Sequence, residues 1–248
     1  MIILKSPDEI KKMAESCRIV AEVLDGIKQY IAPGIATREL DEFAESFIVK
    51  RGARPAFKGY KGYPASICTS VNEQVVHGIP SPAKLKEGDI ISLDIGVYYK
   101  GFFGDAAITL PVGKISCAAE KLLLATEKAL QLGIEKAVIG NRLSDVSAAI
   151  QDYAESEGFS VVRELVGHGI GRELHEEPQV PNFGRPGHGP EIREGMTLAI
   201  EPMVNAGGWE VILLSDGWTT VTKDRSLSAH FEHTIAVTKK ENIILTKL

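Results

Sequence analysis

Leu85-Lys86-Glu87-Gly88-Asp89-Ile90-Ile91-Ser92-Leu93-Asp94 has an echo further along the chain, Ile192-Arg193-Glu194-Gly195-Met196-Thr197-Leu198-Ala199-Ile200-Glu201. Each stretch runs from a charged turn ending in glycine into an apolar segment, and an acid stands six residues past the glycine. A short apolar run bounded by turn residues reads as a buried strand. The repetition extends outward: His77-Gly78-Ile79 returns as His168-Gly169-Ile170, and Gly34 to Gly52 returns as Gly140 to Gly158, both pairs 18 residues apart.

Helices precede the strands in both halves. Ser6-Pro7-Asp8-Glu9 is a capping box with proline at the first helical position, and Ile10, Met13, Ala14, Cys17, Val20, Ala21, Leu24 and Ile27 follow at helical spacing. Cys17 therefore reads as core packing. Pro33-Gly34 is expected to end this helix, and Thr37 to cap a second one striped with Leu40, Phe43, Ala44, Phe47 and Ile48. Later, a helical run from Ala118 to Val138 stops at Gly140, and Ser144 is expected to cap a helix carrying Val146, Ala149, Ile150, Tyr153 and Ala154. Helix pairs followed by strands, repeated at an offset of about 106 residues, predict an α+β fold with pseudo-two-fold symmetry. The expected organisation is a single domain over residues 1–248 with related halves of about 1–110 and 111–248.

The 248 residues are 44% hydrophobic and 25% charged, an ordinary globular balance. A net charge of -5 supplies no global positive field to draw nucleic acid or an anionic membrane. It leaves room only for a local basic patch, such as a transient ribosome contact would use. Three widely spaced cysteines, Cys17, Cys68 and Cys117, make neither a disulfide framework nor a zinc cage. Only Ile2-Ile3-Leu4 is continuously apolar near the start, too short for a secretory signal, and no run is long enough to span a bilayer. A cytoplasmic protein with reduced thiols is expected.

The chemistry lies in acids that interrupt apolar strands. Ile90 to Asp105 reads as a hairpin turning at Lys100-Gly101. With that two-residue loop, Tyr99 faces Phe102 and Gly96 faces Asp105, so Asp94 and Asp105 become diagonal neighbours on one face, about 7 Å apart or less. Glu201 ends its own apolar run, and Glu232 lies in Ala229 to Val237, read as one alternating strand with Glu232, Thr234 and Ala236 on one face. A buried carboxylate needs a cation or hydrogen-bond donors. An ion pair would explain one such acid, but these segments hold no basic residue. His168, between glycines that permit close backbone approach, adds one imidazole. Hard oxygens with one nitrogen suit one or two first-row divalent ions better than a zinc finger or a calcium loop.

Rival motifs fail. His175-Glu176-Glu177-Pro178 lacks the second histidine of H-E-x-x-H, and its proline breaks the helix that motif requires. No dinucleotide turn, Walker loop or G-x-S-x-G elbow occurs.

Taken together, Tyr60-Lys61-Gly62-Tyr63-Pro64, Val71-Asn72-Glu73 with His77-Gly78-Ile79-Pro80, Asp94, Asp105, Gly167-His168-Gly169-Ile170-Gly171, His175-Glu176-Glu177-Pro178, Ile200-Glu201-Pro202-Met203 and Glu232-His233-Thr234 resemble the type I methionine aminopeptidases over nearly the whole chain. The resemblance implies the "pita-bread" fold, an antiparallel sheet with two helix pairs on its outer face and a two-metal centre in the concavity. It further implies five ligands, Asp94, Asp105, His168, Glu201 and Glu232, of which Asp105 and Glu232 bridge two divalent ions drawn from Co, Mn, Fe, Zn or Ni.

In the same likeness Glu201 is the general base, His175 hydrogen-bonds the developing oxyanion, and His77 contacts the scissile amide nitrogen. Tyr60, Tyr63, Cys68 and Trp218 line the methionine slot, joined by Phe57 and Leu174, where the common bacterial pattern has Cys and Phe. The chain looks like the short bacterial form: it shows no N-terminal zinc-binding extension, and only 25 residues separate His175 from Glu201. The implied substrates are nascent polypeptide N-termini, handled by a monomer without nucleic acid or membrane. Xaa-Pro aminopeptidases or prolidases and a non-catalytic module of the same fold are the alternatives; a dinuclear phosphatase or nuclease is disfavoured. His188 and His230 read as surface or locally hydrogen-bonded residues, His233 as core behind the site, and Cys117 as structural.

Overall fold

The computed structural model describes residues 1–248. The capping box forms as expected: the Ser6 hydroxyl accepts from Glu9 N–H at 3.3 Å and the Glu9 carboxylate from Ser6 N–H at 2.9 Å, starting α1 (Pro7–Lys28). This helix stops at Lys28, before the expected Pro33-Gly34 break. The others are α2 (Thr37–Lys50), α3 (Cys117–Lys136, capped by Ser116) and α4 (Leu143–Ser156).

Thr37 and Ser144 are not caps. Ala36 and Arg142 hold the cap positions, and their N–H groups are taken by the carboxylates of Glu39 at 2.8 Å and Asp145 at 2.7 Å. The freed hydroxyls of Thr37 and Ser144 donate instead to loop carbonyls, Ser81 at 3.1 Å and His188 at 2.7 Å. Tertiary partners thus outcompete the local cap. The same device at both helices, with bridges Ala36 to Lys84 and Arg142 to Glu191, shows the predicted symmetry in hydrogen bonds. Gly34 and Gly140 both take φ +97°, a backbone that side chains disfavour.

All pairing between strands is antiparallel, as expected, and it falls into four hydrogen-bonded pieces. In the first half Ile90–Tyr99 lies between Cys68–Val71 and Arg54–Pro55 and also pairs with Phe102–Pro111. In the second, His233–Val237, Thr197–Ile200, Gly167–Gly169 and Glu176–Val180 are successive neighbours. The strand read as Ala229 to Val237 is broken. Ser228–His230 pairs with Met203–Asn205, His233–Val237 pairs with Thr197–Ile200, and Phe231-Glu232 faces Glu201-Pro202 at the gap. Proline has no N–H to give to a ladder.

Period-two alternation then sorts the faces. Ile91, Leu93 and Ile95 pack under α1 and α2 with Ile19, Val23 and Leu40, while Leu198, Ile200, Ile235 and Val237 pack under α3 and α4 with Leu122, Leu130 and Ile150. Each such buried aliphatic side chain contributes roughly 1.5–3 kcal/mol. Ser92, Asp94, Asp105 and Thr109 are consequently left on the inner face. On the opposite, helix-covered face α1 presses close: a Cβ on Gly104, which pairs with Val97, would lie 2.8 Å from Cys17 Sγ.

Candidate metal centre

The hairpin turns at Lys100-Gly101, both at positive φ, with Tyr99 opposite Phe102, Gly96 opposite Asp105 and Asp94 opposite Ala107. The two aspartates are therefore diagonal neighbours, as their spacing predicted. His168 arrives on the strand Gly167–Gly169, opposite Ala199. Glu201 and Glu232 arrive from the two facing strand gaps. Donor atoms of Asp105, His168 and Glu232 lie within 4.8 Å of one another, and Glu201 Oε1 is 3.6 Å from His168 Nε2. His168 Nδ1–H donates to the Gly169 carbonyl at 2.9 Å, which leaves Nε2 bare to act as a ligand.

Backbone hydrogen bonds hold this seam between the halves. Asp105 N–H donates to Thr234 Oγ1 at 3.1 Å, the Thr234 hydroxyl to Asp105 O at 2.7 Å, and Glu232 N–H to Ala107 O at 2.8 Å. The carboxylates fare differently. Asp94 Oδ1, Asp105 Oδ1 and Glu232 Oε1 are buried without a hydrogen-bond partner, and the basic groups within ion-pair reach of Glu201 are the imidazoles of His168 and His230.

Burial pushes Asp94 up to about 7, opposed by His230 and reinforced by Glu201. It pushes Glu201 to about 7 as well, against the pull of His168. Asp105 and Glu232 are raised well above the carboxylate range, first by burial and then by neighbouring acids. Orphaned anionic oxygens with one aimed imidazole are a fit for divalent cations, which would compensate both the desolvation and the mutual repulsion.

The residues expected around methionine collect beside this cluster. Phe57, Tyr63, Cys68 and Leu174 are buried in one apolar group, with Tyr60 and Trp218 packed against it. Tyr63 donates to Gly78 O at 2.9 Å and meets Trp218 edge-on at 5.1 Å. Cys68 sits directly across from Asp94, its thiol pushed up by burial. Gly96 is required beneath Phe57, since a Cβ there would stand 2.6 Å from the ring.

His175 stacks on Tyr60 at 5.3 Å, its Nδ1 is 2.9 Å from the Tyr60 hydroxyl, and its ring centre is 4.2 Å from that of His168. The residue is exposed at the rim, yet its ring is desolvated where it meets Tyr60 and His168, and this burial, aided by the adjacent His168 ring, lowers it to about 3. His77 carries φ +60°, strained for a residue with a side chain, and is lowered to about 4 by burial and then by His230.

Of the remaining histidines, His188 is exposed and bonds Pro186 locally, and His233 bonds Thr246 on the far side of its strand, as expected. Cys117 is exposed, not packed in the core. His230, expected to be a surface or locally hydrogen-bonded residue, is instead 1% exposed, its two ring nitrogens have no partner, and Nε2 is 3.6 Å from Glu201 Oε2. The signal was present in the alternation, which puts residue 230 on the same face as Glu232.

Carboxylates and an imidazole converging at the seam of a pseudo-symmetric α+β fold define a metal-dependent hydrolase, and the model of metallopeptidase family M24 matches residues 11–239. The chain belongs to that family and binds divalent metal. It is 56% identical over 246 residues to the methionine aminopeptidase of Clostridium perfringens, covering 99% of each chain. It is also 56% identical over 248 residues to methionine aminopeptidase 1 of Bacillus subtilis, covering 100% of each. The solved methionine aminopeptidase of Thermotoga maritima superposes with a TM-score of 0.98 at 48% identity, covering 100% of both chains. A Pyrococcus horikoshii prolidase, at 24% identity and TM-score 0.81, shares the fold alone. No helix is long and apolar enough to cross a membrane.

Proposed function

We propose that this chain is a methionine aminopeptidase: it removes the N-terminal methionine from nascent proteins and peptides whose second residue is small. It works in the cytoplasm as a monomeric unit of two related halves, free of nucleic acid and membrane. The observation that carries this reading is the adjacency of the orphaned carboxylates to an apolar, aromatic and sulfur-lined slot.

Two divalent ions, from among Mn, Fe, Co, Zn and Ni, would be held by Asp94, Asp105, His168, Glu201 and Glu232, with Asp105 and Glu232 shared. When bound, they supply Lewis-acid activation of water and of the scissile carbonyl. Glu201, whose burial places it near neutrality, takes the proton from the attacking water and passes it to the departing amine. The Tyr60 hydroxyl lies 2.9 Å from His175 Nδ1; with the hydroxyl as donor the ring hydrogen is on Nε2, from which the neutral ring donates to the carbonyl oxygen as it gains charge. Such a donor is worth about 3 kcal/mol. His77, held in strained backbone beside Trp218, contacts the amide nitrogen. A thioether packs well among Tyr63, Cys68, Phe57 and Trp218. Since one methylene changes discrimination by only about 1–3 kcal/mol, norleucine-like side chains are accepted too.

Cleavage of Met-Ala-Ser against an Ala-Pro peptide, before and after EDTA and metal restoration, tests the reading. Methionine release that vanishes with chelation and returns with Mn(II) or Co(II) is expected. Preference for Ala-Pro, or full turnover by verified metal-free protein, would overturn it.

A further inference from the structure

His230 has no role in the reaction described above, yet its backbone is clasped from the opposite half of the molecule. Its N–H donates to Thr109 Oγ1 at 2.8 Å, the Thr109 hydroxyl lies 2.8 Å from its carbonyl, and Ser92 lies 2.8 Å behind Thr109. The backbone is fixed from the opposite half of the molecule, while the ring is buried and unpartnered on both nitrogens. A buried donor without a partner is costly, on the order of 1–3 kcal/mol, and such a group is retained where a partner becomes available.

The two oxygens of Glu201 face two imidazoles symmetrically. Oε1 is 3.6 Å from His168 Nε2, and Oε2 is 3.6 Å from His230 Nε2. His168, which shares the cluster of donors with Asp105 and Glu232, meets one oxygen of Glu201, and His230 meets the other. Its ring therefore addresses the oxygen of Glu201 that does not face His168. We propose that His230 is a positioning residue: its Nε2–H donates to Glu201 Oε2 and so holds Oε1 toward His168 and the metal centre.

A carboxylate's terminal torsion is broad and nearly two-fold, so nothing in Glu201 itself selects one orientation; a fixed donor does. The separation exceeds a formed hydrogen bond of about 2.7–3.2 Å, and a small rotation of the carboxylate closes it, as contacts at catalytic centres tighten in the working complex. The inference rests on Glu201 being both ligand and base.

Three variants test it: His230→Met keeps bulk and removes the donor, His230→Gln keeps an N–H of similar reach, and His230→Asn keeps an amide too short to reach. On chelated protein, Mn(II) affinity is read by titration calorimetry, and kcat and KM by Met-Ala-Ser hydrolysis. Loss of an orienting partner lowers affinity or kcat by about 10–100-fold in the Met and Asn variants with KM little changed, and Gln restores most of it. Should the Met variant not fold, the Asn and Gln pair carries the same comparison. Native values in Met or Asn, equal impairment of all three, or a Co(II) spectrum in the Gln variant showing one nitrogen fewer would overturn the proposal. Glu201→Gln is measured alongside. Full kcat in that variant overturns the general-base reading itself, whereas its inactivity beside native-like His230 variants overturns only the positioning role.

Discussion

Replacing Asp94 by asparagine should stabilise the metal-free protein at neutral pH. Burial, with Glu201 adding to it and His230 opposing, pushes the Asp94 carboxyl from 3.8 up to about 7 in the folded chain. Between those values the unfolded chain is ionised at this position while the folded chain retains the proton. A folded pKa raised in this way leaves stability intact below about pH 4, and stability is lost as pH climbs toward 7, at about 1.4 kcal/mol per pH unit. Over the roughly three-unit window the loss is on the order of 4 kcal/mol. Asparagine has nearly the same shape and does not ionise. For a chain of this size 1 kcal/mol moves the melting midpoint by about 2–4 °C, so at pH 8 the variant should melt about 8–16 °C higher. The gap should close toward pH 4. The assay is thermal unfolding of chelated native and variant protein across pH 4 to 8. Adding Mn(II) should then raise the native protein more, because ligand binding to the folded state adds about 2.7 kcal/mol at a hundredfold excess over Kd. A chelated variant no more stable than native at pH 8 would refute the argument that these carboxylates are held at the expense of folding.

His175→Ala should lower kcat by about 10²–10³ while elemental analysis finds the metal content unchanged; loss of both would place the ring among the ligands. Lys5→Met should destabilise the protein by about 3–5 kcal/mol in a denaturant titration, because Lys5 and Glu176 form a buried ion pair with side chains 3% and 4% exposed. Glu176 also accepts from the N–H groups of Arg172 at 2.8 Å and Glu173 at 3.2 Å, so the same change should loosen the segment that carries His175.

How far the sequence could be read depended on whether local rules met competition. The hairpin register was legible because a two-residue turn at Lys100-Gly101 leaves no slack, and a one-residue slip would send Asp94 and Asp105 to the helix side. Thr37 and Ser144 have strong capping propensity, but distant loop carbonyls claimed their hydroxyls. The broken strand was announced by Pro202, whose missing N–H is a statement about pairing; alternation alone could not convert it into a gap that opens opposite Phe231-Glu232. Alternation carried enough to put His230 beside Glu232, yet the acids that face its buried ring, Asp94 and Glu201, come from strands far apart in sequence.

The division of hydrogen bonds at the seam explains how the fold tolerates such a centre. Asp94 and Asp105 come from the first half, and His168, Glu201 and Glu232 from the second, so repulsion among the acids acts to part the halves. Opposing it are backbone contacts placed beside the charges: Thr234 clasps both the N–H and the carbonyl of Asp105, Ala107 receives Glu232 N–H, and Thr109 clasps His230. Main-chain polar groups here are satisfied within the protein, while carboxylate oxygens are left bare. A scaffold fixed independently of the metal keeps the ligand geometry rigid. Binding energy from divalent cations is then not spent on ordering the chain; it neutralises charge that the strands have already brought together.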